Sequence, residues 1–69
     1  MTDQEYAELR TRTAYAAESL RLLADDLIAA YSEDAETGGD EHYCYRVTLW
    51  ASYGHVKNAM RCIHKALAS

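Results

Sequence analysis

The sequence predicts an all-α chain, an antiparallel two-helix hairpin that dimerises into a four-helix bundle. Three observations carry that expectation. The 69 residues include no Pro, three Gly and twelve Ala alongside many Leu, Glu and Arg, a composition of helices rather than of a turn-rich β fold. Apolar residues recur at spacings of three and four along two long stretches, the period of one face of a helix. A single cluster of turn residues, Thr37-Gly38-Gly39-Asp40, separates the two, so the helices must run in opposite directions.

The first helix is expected over about 3–33. Thr2 and Glu5 have capping-box spacing, and Asp3, Glu5 and Glu8 suit the positive end of the helix dipole. From there Tyr6, Leu9, Thr13, Ala16, Leu20, Leu23, Leu27 and Ala30 form the expected seam, widened by Ile28 and Tyr31. Glu33, Asp34 and Glu36 put negative charge at the negative end of the dipole, which predicts fraying there and a loop over 34–40. Asp40 is placed to cap the second helix, expected over 41–67.

In that second stretch His42, Leu49, Val56 and Ile63 interleave with Arg46, Tyr53, Met60 and Leu67. Residues 42–53 also hold several strand-favouring side chains, and Gly54 follows, so a strand or a break is the competing reading of that segment. The short turn sets a register in which Tyr6 meets Leu67, Thr13 meets Met60, Leu20 meets Tyr53 and Leu27 meets Arg46. Glu8 then faces Lys65, Glu18 faces His55, and Asp26 reaches Arg46.

These pairs bear on a charge asymmetry. Residues 1–40 carry ten acids and three arginines, whereas 41–69 carry Glu41 against Arg46, Lys57, Arg61 and Lys65, for a net charge of −4. Mutual pairing of the two halves is one account; a basic stripe offered to an acidic partner is the other.

A 69-residue chain makes one domain at most, and a single core of that size supplies only about 3–5 kcal/mol. Self-association is therefore expected. Helix 2 offers a stripe of mostly small residues, among them Cys44, Ala51, His55, Ala59 and Cys62, which is the expected dimer interface about a two-fold axis. Tyr and Trp most often anchor contacts with other proteins, and Tyr45 and Trp50, with Lys57 and Arg61 further along, are the expected partner-binding residues.

No catalytic or cofactor signature stands out, so no enzyme and no cofactor is expected. His42, Cys44, His55, Cys62 and His64 are zinc-ligand types, but no C-x₂-C or H-x₃-H pair exists to form half a tetrahedral site, and no metal is expected. Cys44 and Cys62 are too far apart on one helix to bridge and read as reduced, packed thiols. With a charged N-terminal segment and no run of eighteen apolar residues, the expectation is a cytoplasmic protein with no membrane contact.

The function expected from these residues is a small non-enzymatic protein-binding module, a regulator, adaptor or inhibitor of a larger protein, acting as a homodimer. Two alternatives remain. One is a nucleic-acid-binding helical dimer using the basic stripe of helix 2, disfavoured by the acidic total. The other is a metal- or thiol-dependent site shared between subunits.

Overall fold

Thr2 and Glu5 close on each other at the start of the chain. The Thr2 hydroxyl accepts the Glu5 amide at 3.1 Å, and the Glu5 carboxylate accepts the Thr2 amide at 3.1 Å. This capping box satisfies donors that a helix N-terminus otherwise leaves free, and helix α1 runs from it over Asp3–Thr37. A 3-10 turn over Asp40–His42 follows, and helix α2 spans Tyr43–Ala68. The computed structural model describes residues 1–69 and contains no strand.

The segment 42–53 is therefore helical. Its Leu49, Trp50 and Tyr53 side chains have a neighbouring helix to pack on but no second strand to pair with, and local strand preference is weak against that. Gly54 sits inside the helix without interrupting it.

α1 extends four residues past the expected end at 33. The acids that should fray it are partly offset by side chains from across the turn: the Asp34 carboxylate accepts Arg46 Nη1 at 3.3 Å and lies 2.7 Å from His42 Nδ1. The turn thus falls at Gly38 and Gly39, and Gly39 takes φ +60° and ψ −162°, a conformation open to glycine alone. Asp40 begins the 3-10 turn instead of capping α2, whose first residue follows His42 with no side-chain cap.

Lengthening α1 and shortening the loop slides the helices past each other. Arg46 meets Asp34 rather than Leu27, and the Leu67 carbonyl accepts a hydrogen bond from Arg10, one turn beyond Tyr6. That is a slip of at least one turn. The α1 seam also rotates: Arg10, Thr13, Ala17, Leu20, Ala24, Leu27, Tyr31 and Asp34 are half-buried or buried in a strict alternation of three and four, with Ile28 and Ala30 half-buried on either side. Ala17 and Ala24, outside the expected seam, are the only buried residues, at 6% and 3% exposure. Tyr6, Leu9, Ala16 and Leu23, expected in the seam, lie exposed. Small side chains at the seam let the helices approach closely enough to seat the larger α2 residues Leu49, Tyr53, Val56, Met60, Ile63 and Leu67, all half-buried.

The result is a rod of 54 × 15 × 14 Å with a radius of gyration of 16.2 Å; about 11 Å would be expected of a compact chain of this length. No helix is long and apolar enough to cross a membrane.

Candidate interaction surface

On one side of the hairpin, near the turn, aromatic rings run in series. Tyr31 of α1 packs on Trp50 of α2 with ring centroids 5.3 Å apart and planes tilted by 46°; Trp50 in turn contacts Tyr53 at 5.8 Å. The Lys57 ammonium lies 5.8 Å from the Tyr53 ring centroid, in range of a cation–π contact. Tyr31, Tyr43, Arg46, Val47 and Trp50 line a shallow depression there.

The series continues as charge. Tyr43, Val47, Trp50, Gly54, Lys57, Arg61 and His64 follow one another at spacings of four and three, so one edge of α2 is aromatic towards the turn and cationic towards the C-terminus. Lys57, Met60, Arg61 and His64 line a second depression. Arg61 donates to Asn58 Oδ1 at 3.0 Å, and neither Lys57, Arg61 nor Lys65 has a carboxylate within salt-bridge distance.

None of the three expected pairs between the halves forms. Glu18 instead holds Arg21 at 2.6 Å on its own helix, with Asp25 on the other side of the same guanidinium at 3.1 Å. The Arg21 hydrogen bond keeps the Glu18 carboxyl below the usual carboxylate range and raises Arg21 in turn. Arg46 is taken by Asp34. With α2 displaced along α1, the ion pairs form within α1 and at the turn, and the cations beyond Gly54 are left without partners.

Of the residues expected to contact a partner, Trp50, Lys57 and Arg61 share this edge. Tyr45 does not: it lines a depression with Ala30, Glu33, Asp34 and Thr37 on the opposite side of the hairpin. The expected dimer residues Cys44, Ala51, His55, Ala59 and Cys62 are all exposed, with Cys44 and Ala51 furthest from the seam by helical period. Both thiols are free and open to solvent rather than packed. No group of three His, Cys, Asp or Glu side chains comes together.

Sequence reasoning missed Asp34, which falls in the expected loop. The signal for it was the alternation from Arg10 to Asp34, which holds only if α1 continues past residue 33.

Comparison of the chain with protein-family models, with curated proteins and with solved structures finds no match.

Proposed function

We propose that this chain is a small non-enzymatic protein-binding module, acting in the cytoplasm as a homodimer of hairpins stacked into a four-helix bundle, which docks an acidic segment of a larger protein against α2. The observation that supports this reading best is the continuous edge from Trp50 to Arg61, where rings give way to cations with no carboxylate partner. Aromatic and arginine side chains are the commonest anchors of protein interfaces, and unpaired cations steer an acidic partner towards them. Trp50, Lys57 and Arg61 form the contact; Tyr45 lies on the far side and is not part of it.

The experiment compares the wild-type chain with a Lys57→Glu/Arg61→Glu variant as baits in extract of the source cell. A protein retained by wild type, released by salt and lost by the variant supports the proposal; equal capture by both overturns it. The same edge could track a phosphate backbone while Trp50 stacks on a base. Salt-sensitive retention of the wild type on DNA, with no protein captured, would favour that reading instead.

A further inference from the structure

The face of the hairpin opposite the Trp50 edge carries two rows of uncharged, mostly apolar residues. On α1 it presents Leu9, Ala16, Leu23 and Ala30, at intervals of seven residues. On α2 it presents Tyr45, Ser52, Ala59 and Ala66, at the same interval. The two rows lie on one side: Leu9 and Ala66 line one depression, and Ala30 and Tyr45 another. No charged residue occupies either row. The Trp50 side, by contrast, has Arg21 of α1 and Lys57 of α2 at mid-length.

We propose that this face is covered by a second copy of the chain, with each α1 lying antiparallel to its own copy about a two-fold axis near Leu22 and Leu23. The assignment rests on the homodimer reading above and adds the face and the register.

Two quantities select a second copy. The hairpin exposes 5338 Å², whereas a folded monomer of 7.8 kDa exposes about 4,400 Å². The excess of roughly 1,000 Å² is close to the ~800 Å² that each partner contributes to an interface of standard size. Charge then sets the direction. Along α1 the border of the face reads Arg12, Ser19, Asp26, Glu33, positive at one end and negative at the other. Antiparallel pairing about Leu22 and Leu23 brings Arg12 to Glu33 of the copy, and Ser19 to Asp26. A cyclic dimer needs this self-complementary pattern. The same axis passes α2 beside Gly54 and His55, so Ala59 joins the contact, with His55 and Cys62 at its border. Cys44 and Ala51 remain outside it.

Leu23→Glu tests the face, because Leu23 is 45% exposed in the hairpin and Glu is a good helix former, so the single chain has little reason to unfold. Val47→Glu, at a residue 50% exposed on the Trp50 side, is its counterpart. By sedimentation equilibrium the wild type and Val47→Glu should have twice the mass of 7.8 kDa. Leu23→Glu should raise the dissociation constant on the order of a hundredfold or more, as loss of a central apolar anchor does, with helicity kept. Ala59→Glu on the other helix repeats the test if Leu23→Glu lowers helicity. A dimer that survives both Leu23→Glu and Ala59→Glu, or that Val47→Glu also breaks, overturns the face. Arg12→Glu and Glu33→Arg should each weaken the dimer and together restore it; no recovery in the double variant overturns the register. A wild type that stays monomeric at every concentration would instead remove the homodimer reading itself.

Discussion

Arg46 ties together the end of α1 and the turn through Asp34: its Nη1 donates to the Asp34 carboxylate at 3.3 Å, to the Asp34 carbonyl at 3.3 Å and to the Gly39 carbonyl at 2.7 Å. The two side chains are 16% and 14% exposed. One guanidinium thus answers the Gly39 carbonyl of the turn, adds a second donor to the Asp34 carbonyl, which also accepts the Gly38 amide at 2.7 Å, and pairs with an acid in the last turn of α1, near the negative end of the dipole. Arg46→Met keeps much of the length and apolar stem but removes all three bonds. The expected loss is about 1.5–3 kcal/mol, the range for hydrogen bonds to charged groups, read from urea denaturation. Arg21→Met, which breaks only exposed pairs within α1, should shift the midpoint less. Equal shifts would mean that Arg46 does not fix the turn.

The glycines separate conformation from space. At Gly39 a Cβ would meet nothing within 4 Å, yet φ is +60°, so Gly39→Ala should destabilise by about 1–3 kcal/mol through backbone strain alone. At Gly54 there is also open space, but the backbone is helical, so Gly54→Ala should stabilise by about 0.5–1 kcal/mol. Opposite signs in thermal melts are expected. Gly38 is a third case: a Cβ there would stand 2.5 Å from Asp34 Oδ1 and 2.7 Å from His42 Nδ1, so Gly38→Ala should displace the carboxylate from its partners and mimic Arg46→Met.

Acid should loosen α1 through two carboxylates. Hydrogen bonds to Thr2 hold Glu5 below its ordinary 4.5, and the Arg21 hydrogen bond does the same for Glu18. Both groups have folded values below their unfolded ones, so their contribution is present above about pH 4.5 and is lost as pH falls through the lower folded values. Carboxyl chemical shifts should show both midpoints below 4.5. In Arg21→Gln the Glu18 midpoint should return towards 4.5 while that of Glu5 stays; movement of both together would assign the shifts to a global transition.

Trp50 is the only tryptophan, so its fluorescence reports its packing between Tyr31 and Tyr53. Tyr31→Ala should shift the emission to longer wavelength and cost about 0.5–1.5 kcal/mol beyond the lost apolar area, the usual worth of an aromatic pair. An unchanged spectrum would mean that the ring is already fully hydrated in solution.

The local features were legible in the chain itself. Thr2 and Glu5 specify the capping box, the spacing from Leu49 to Leu67 specifies the face of α2, and Gly38-Gly39 places the turn, because each depends on residues within a turn or two of one another. Three features were not. Whether Leu23 or Ala24 faces the partner is undecided by hydrophobicity, since both positions continue a spacing of three and four. The small residue lies inside only because a second helix with larger side chains comes close to it. The end of α1 could not be read from its own acids, since the side chains that meet Asp34, those of Arg46 and His42, arrive from beyond the turn. With the helix end undecided, the register and every charge pair across the seam were undecided too. The sequence by itself determined two amphipathic helices and their direction, through short-range hydrogen bonding and periodicity. Only the tertiary structure decided which apolar residues are spent on the seam and which remain exposed on its two sides, because burial is a property of the pair of surfaces and not of either helix alone.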